Sequence, residues 1–338
     1  MNTAIIGTGR IAFKLENDNL RPKPCTHLGA LRELNQNNEK FNITGLCDLN
    51  SDNSMSALGF LTMQNNLPAI SKSYKDIVKL NPDLLIIAST TQSHYEILMY
   101  AIDKKIPNIV CEKPICLKKE EALKLHEKAT KKGTRIWVNY ERRYHKKYIE
   151  LKSCVVSKEP YGNLLSYTGQ FFSPRKKLHR SKEDEGVLLH DTTHLLDLAY
   201  YLFGAPDNIE EPINNNPLIT ENNSMHTMLL SHNKSVSGII QTIIGVPYFH
   251  FEMELIFEQA RIRVGNGFYT VEMGENSPLY EGFYSLKKPL YIEKEPKDVL
   301  DNPFIKLYND VYNNIYDPSG LKDACQNVMH LSINPSNP

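Results

Sequence analysis

Short, mostly apolar runs alternate with longer polar stretches through the first 140 or so residues. The runs are Ala4-Ile5-Ile6, Phe41 to Cys47, Leu84 to Ala88, Ile109-Val110-Cys111 and Arg135 to Asn139. A strand apolar on both faces suits a parallel sheet covered by helices on each side. Between the runs, Ser93 to Lys104 and the charged segment around Lys118, Lys119, Glu120, Glu121 and Lys124 read as helices with a solvated face. The alternation predicts a doubly wound parallel α/β sheet.

After about residue 145 the pattern changes. Leu164 to Phe172, Met225 to Leu230, Val236 to Ile244 and Phe249 to Phe257 read as strands. In the last, Phe249, Phe251, Met253, Leu255 and Phe257 alternate with mostly polar positions, so one face is buried. Arg261 to Val264 followed by Gly265-Asn266-Gly267 reads as a strand and tight turn. Asn214 to Pro217 and Pro278 to Pro296 read as loops or irregular edges. Phe304 to Ile315 and Leu321 to Leu331 read as helices. The expected division is residues 1–145 and 146–338, an antiparallel sheet filling the second part and the last helices packing back on the first.

The bulk numbers narrow the partners. In 338 residues, Lys+Arg and Asp+Glu are both 39, and this balance argues against nucleic acid or an anionic membrane. No apolar run is long enough for a bilayer, and no signal-peptide pattern opens the chain. Six cysteines, at 25, 47, 111, 116, 154 and 325, fit neither a zinc site nor a disulfide scaffold. They read as reduced thiols of a cytoplasmic protein.

Chemistry gathers at four places. Gly7-Thr8-Gly9-Arg10-Ile11-Ala12, directly after the first strand, fits G-x-G-x-x-A. Glycine permits the tight turn and close approach to a pyrophosphate, and a helix N-terminus beyond it would supply N–H donors. Asp48, at the end of the second strand, is placed to accept an adenosine ribose and to repel a 2′-phosphate, which favours NAD over NADP. The spacing from the glycines to Asp48 is long, and the extra residues, Lys14 to His27, contain Arg21-Pro22-Lys23-Pro24. They read as an insertion, either near the cofactor or substrate mouth or as a surface loop without a task. Ser89, Thr90 and His94 follow an apolar strand at its carboxyl end, where open α/β sheets bind ligands. Glu112-Lys113-Pro114 follows another.

The fourth place is Glu185 to Asp197. On a helix at ~100° per residue, His190, His194, Asp197 and Tyr201 share one stripe, while Leu195, Leu198 and Leu202 share another. Two His and an Asp in register are costly to bury without a task. His at i and i+4 can share a zinc, but no third ligand is evident, so an acid/base role is preferred and no metal is assigned.

With these motifs together, the sequence resembles the Gfo/Idh/MocA oxidoreductase family. The resemblance rests on Gly7-Thr8-Gly9-Arg10-Ile11, Asp48, Ser89-Thr90 with His94, Glu112-Lys113-Pro114, Asn139 to Tyr144, and the His194-x-x-Asp197 helix. It implies a Rossmann domain and a second α+β domain with a large open antiparallel sheet. It implies NAD, with NADP possible, and sugars, cyclitols or nucleotide-linked sugars as substrates. Homodimers or homotetramers through the open sheet face are the implied assembly. The dinucleotide would be held by Gly7, Thr8, Gly9, Arg10, Ile11, Asp48, Ser89, Thr90, His94, Glu112 and Lys113. Family members often carry Asp-x-x-x-His completed by the Glu-Lys-Pro lysine. Here His190 stands four before His194, and Asp191 stands three before.

The implied chemistry is a hydride transfer in which His194 exchanges the hydroxyl proton and Lys113 stabilises the alkoxide, with Asp191 or His190 orienting His194. Arg142 and Tyr144, then Arg175 and His179, are candidate substrate contacts. If they line the pocket they favour an anionic substrate. Rival readings are a non-catalytic dinucleotide-binding regulator, an NAD-dependent redox-cycling glycosidase and a biliverdin-reductase-like enzyme.

Overall fold

A computed structural model describes residues 1–36, 40–61, 67–174, 188–210, 224–233, 235–287 and 301–332. The chain divides into two compact units, Met1–Lys146 with Lys297–Ser332, and Lys147–Pro296.

In the first unit, six parallel strands are β1 (Asn2–Ile6), β2 (Asn42–Cys47), β3 (Ala69–Ser71), β4 (Leu84–Ile87), β5 (Asn108–Cys111) and β6 (Arg135–Val138). They run in the order β3-β2-β1-β4-β5-β6. Strand order reverses between β1 and β4, the place where such sheets take ligands beyond the carboxyl ends. All four residues of β4 are fully buried, as expected of a strand covered on both faces. The connecting helices are α1 (His27–Asn35), α2 (Ser51–Phe60), α3 (Tyr74–Val78), α4 (Thr91–Asp103) and α5 (Lys119–Lys132). In α5, Glu120 and Glu121 open the helix, Lys131 and Lys132 close it, and Gly133 caps it at φ +68°.

Two late helices also belong to this unit. After α6 (Lys146–Ser157) and α7 (Thr193–Phe203) in the chain, the late pair are α8 (Pro303–Tyr312) and α9 (Ser319–Leu331). Asn302 caps α8 through Phe304 and Ile305 amides, with Pro303 at its first position. Phe304, Leu307, Tyr308 and Val311 share one buried cluster with Leu28, Leu31 and Phe41. Trp137 Nε1 donates to Ile315 O at 3.2 Å.

The second unit is built on β7 (Leu164–Ser173), β8 (Asn208–Glu210), β9 (Ser224–His232), β10 (Val236–Ile244), β11 (His250–Phe257), β12 (Ala260–Gly265), β13 (Phe268–Asn276) and β14 (Tyr284–Leu286). Their order is β14-β13-β12-β11-β7-β10-β9-β8. The sheet is mixed, not wholly antiparallel: β7 and β10 are parallel over Ser237↔Ser166 to Ile244↔Ser173. Periodicity sets which face is buried, but not the direction of a distant partner, so this pairing was outside its reach. Strand β14, at the edge of the sheet, lies inside Pro278 to Pro296, the segment read as loop or irregular edge.

One sheet face packs on α7. Gly169 leaves room for Leu195, whose Cδ2 would stand 3.1 Å from an added Cβ. The opposite face carries Arg263–Glu252 and Arg261–Glu254 pairs and the exposed neighbours Ile239 and Leu229. Among the described residues, no helix is long and apolar enough to cross a membrane.

Candidate active site

The glycine turn sits where β1 ends. Gly7 has φ +87°, and a Cβ there would lie 2.4 Å from Ser89 N, which follows β4. Only glycine allows the two strand ends to come this close. Gly9, by contrast, has nothing within 4 Å of an added Cβ, so its backbone is open to an approaching group. That combination fits a pyrophosphate laid along the turn. Gly7→Ala is therefore expected to cost about 1–3 kcal/mol or more and to abolish dinucleotide binding. Urea unfolding and a nucleotide titration would measure both.

The helix expected straight after the glycines is interrupted. Phe13 N and Lys14 N bond Gly9 O, Leu15 N bonds Arg10 O, and a 3-10 turn covers Lys14–Asn17. The chain then loops out and returns at Thr26, whose Oγ1 caps α1 by accepting Gly29 N at 3.1 Å. The first amides of α1 bond back across the excursion, His27 N to Ile11 O at 3.2 Å and Leu28 N to Ala12 O at 2.8 Å. The prolines between prevent a continuous helix. The loop is closed by Glu16 Oε1, which accepts Cys25 N at 2.7 Å and Thr26 Oγ1 at 2.8 Å.

Asp48 holds the glycine turn from the end of β2. Its Oδ2 accepts Thr8 N at 2.9 Å and Thr8 Oγ1 at 3.2 Å. Ser89 Oγ and Ser93 Oγ are 2.7 Å apart, and Thr90, at the helix start, is exposed. His94, expected to face a cofactor, is instead buried between two backbone segments. Its Nδ1 is 2.9 Å from Pro114 O and its Nε2 is 3.2 Å from Ser89 O. It straps the β4 loop to the Glu112-Lys113-Pro114 loop.

Glu112 is clamped from two sides. Its Oε1 is 3.0 Å from His27 Nε2 and accepts Asn139 Nδ2 at 2.6 Å. His27 is fully buried, and its Nδ1 is 2.7 Å from the Tyr308 hydroxyl. A carboxylate can only accept, so Nε2 carries a proton. Burial pushes the Glu112 carboxyl up, but the His27 hydrogen bond and charge, Asn139 and Lys113 bring it below its ordinary value. A depressed carboxyl stabilises the fold above its unfolded pKa of 4.5, and the gain fades as pH falls through the lower folded value. The stability gap between wild type and Glu112→Gln is expected to be constant above that pH and to shrink below it. Urea melts from about pH 7 down to about pH 3 would show the trend. Lys113, half-buried, follows this clamp through a cis peptide to Pro114.

In the second unit, Leu188–Thr192 forms a π-helical turn that runs into α7. The stripe drawn on an ideal helix through His190 and His194 therefore does not hold, because a π turn is wound more widely. Asp191 is turned inward, 2% exposed, with His190 Nδ1 3.0 Å from its Oδ1. Thr192 Oγ1 donates to Thr242 Oγ1 on β10 at 2.9 Å and fixes the turn to the sheet. The His194 ring lies parallel to Phe171 of β7, with centroids 6.0 Å apart. Asp197 is buried, and Lys152 covers the Tyr201 ring. Leu195, Leu198 and Leu202 are core, as their stripe implies.

The other candidates scatter. Arg142 is 3.5 Å from Glu141, and Tyr144 packs against the core of the first unit. Arg175 and His179 lie outside the described residues. Sequence reasoning missed His27, Tyr308 and Asn53. A lone histidine opening a helix after a proline-rich stretch was the available signal for His27.

The strand order and the turn at Gly7–Gly9 are those of a dinucleotide-binding Rossmann unit. Residues 1–140 match the model of the Gfo/Idh/MocA oxidoreductase family, described as an NAD-binding Rossmann fold. A myo-inositol 2-dehydrogenase of Thermotoga maritima is 28% identical over 149 residues, 42% of this chain and 43% of that protein. A glucose-6-phosphate 3-dehydrogenase of Bacillus subtilis is 28% identical over 172 residues, 48% of this chain and 46% of that protein. The chain thus spans a little under half the length of these curated relatives. The solved structure of the WlbA dehydrogenase from Bordetella pertussis, in complex with NADH and UDP-GlcNAcA, superposes with a TM-score of 0.68 at 16% identity. That match covers 98% of this chain and 94% of the other, and at this identity it shows the shared fold.

Proposed function

We propose that the chain is an NAD(P)-dependent dehydrogenase or reductase acting on a CH–OH group of a sugar, cyclitol or nucleotide-linked sugar. The observation that carries this reading is one sheet edge. Gly7 after β1, Ser89 after β4 and Lys113 after β5 leave the carboxyl ends of adjacent strands, with Lys113 held in place by the Glu112 clamp. A bound nicotinamide would accept or return a hydride. Gly7, Thr8, Gly9 and Ser89 would hold the dinucleotide. The Lys113 ammonium would stabilise negative charge on the substrate oxygen. The His194 imidazole would take the hydroxyl proton in oxidation and give it back in reduction. His190 and Asp191 supply the carboxylate–histidine pair beside it in sequence. Relatives named for inositol and glucose 6-phosphate support polyol-like substrates. The residues near 190 depart by one position from the family's usual carboxylate, and that departure bears on which hydroxyl is taken.

Assembly belongs to the same reading. The exposed Ile239 and Leu229 beside a ladder of paired Arg and Glu form a flat face suited to a second copy in a homodimer or homotetramer. The deciding experiment is a panel of free sugars, sugar phosphates, cyclitols and nucleotide sugars, read by reduced-nicotinamide absorbance in both directions. Net turnover with one class supports the reading. Release of an aglycone without net reduced cofactor would transfer the assignment to a redox-cycling glycosidase. Bound cofactor with no turnover across the panel would transfer it to a regulator.

A further inference from the structure

The role of the excursion between the glycine turn and α1 follows from where its first residue sits. Phe13 N bonds Gly9 O, and Lys14 N and Leu15 N bond the carbonyls five residues before them, so one wide turn carries both Arg10 and Lys14 out of the glycine turn. Both are exposed. Lys14 Nζ donates to Asn53 Oδ1 at 2.6 Å, and Asn53 Nδ2 donates to Asp48 Oδ1 at 3.1 Å. An ammonium therefore stands one side chain away from the carboxylate that marks the adenosine ribose in this fold.

That carboxylate is already committed. Oδ1 accepts Asn53 Nδ2 and, at 2.9 Å, Asn50 N; Oδ2 accepts Thr8 N and Thr8 Oγ1. An ionised carboxylate has about four acceptor positions, and four protein donors occupy them. Hydrogen bonds to a charged acceptor also spread its charge, which weakens its repulsion of a nearby anion. The remaining acid of this turn is Asp52, exposed on the first turn of α2. The excursion keeps Lys14 in place. Glu16 closes the loop onto Cys25 and Thr26, and Lys23 Nζ donates to Leu15 O at 2.8 Å and Asp18 O at 2.7 Å.

Building on the dinucleotide reading of this unit, we infer that Arg10 and Lys14 form a receptor for a phosphate on the adenosine 2′-hydroxyl, so that NADP is bound at least as tightly as NAD. Asp48 then serves the glycine turn rather than the ribose. This is opposite to the preference that Asp48 alone suggests. It gives the excursion a task, which is to follow the glycine turn with a fixed cation at the nucleotide.

The test needs no substrate. NADH and NADPH are titrated against the full chain by nucleotide fluorescence, for wild type and for Arg10→Gln/Lys14→Gln. The expected result is NADPH binding equal to or tighter than NADH. The double variant should lose about tenfold more affinity for NADPH than for NADH, as expected when charge-assisted phosphate contacts are removed. Retained NADH binding shows that the variant is folded. Weaker NADPH than NADH binding in wild type, or an equal loss of both in the variant, overturns the inference while leaving the dinucleotide reading intact. Binding of neither nucleotide by wild type overturns both.

Discussion

Lys113→Ala is expected to lower turnover by about 10²–10³-fold, the scale on which loss of a group stabilising a developing oxyanion is felt. His194→Ala is expected to cost about 10²–10⁴-fold, the usual contribution of a positioned acid/base. In both variants, dinucleotide affinity should stay close to wild type, since the glycine turn and Ser89 are untouched. The split separates chemistry from binding. Lys113→Arg should recover part of the rate by restoring the charge. Wild-type turnover in both alanine variants, measured against whichever polyol class gives activity, would remove the catalytic assignment and leave the fold assignment standing.

Arg143→Met is expected to lower stability by about 3–5 kcal/mol, the largest loss foreseen for a residue outside the chemistry. Arg143 Nη2 meets Asp323 Oδ2 of α9 at 2.8 Å, with side-chain exposures of 6% and 9%. Removing the guanidinium leaves a buried carboxylate without that cation, and desolvation is then uncompensated. The double variant Arg143→Met/Asp323→Leu should recover most of the loss, because two apolar groups of similar bulk need no pairing. Urea unfolding of the single and double variants measures the difference. Arg143 follows Asn139 by four residues, and Asn139 donates to Glu112. Part of the loss should therefore appear at Lys113, as weaker turnover in molecules that remain folded.

Much of this was legible in the sequence, for reasons that can be named. Leu84 to Ile87 reads as a strand buried on both faces because no polar residue interrupts it, and the glycine turn reads as one because few other residues tolerate such backbone. Glu112-Lys113-Pro114 is legible as a motif. Its physical basis is not, because the partners that hold Glu112 are His27, Asn139 and Tyr308, spread over 281 positions from His27 to Tyr308. The Arg143–Asp323 pair is hidden in the same way. At residues 188–192 the failure is different. Helical periodicity assumes one winding throughout, and a π turn breaks that assumption where the carboxylate is displaced by one place. Asp48 shows a third limit. Its position was legible, but not that its four acceptor positions face the protein.

The bonds from His27 N to Ile11 O and Leu28 N to Ala12 O have a consequence for how this chain tolerates change. They tie the turn after Gly9 to the start of α1, so the excursion's roots are already neighbours in space. Closure entropy grows slowly with length, about 0.6 kcal/mol per doubling, so the excursion can lengthen or shorten at little thermodynamic cost. Such a graft point lets selection act on the nucleotide end of the pocket while the sheet beneath it stays as it is.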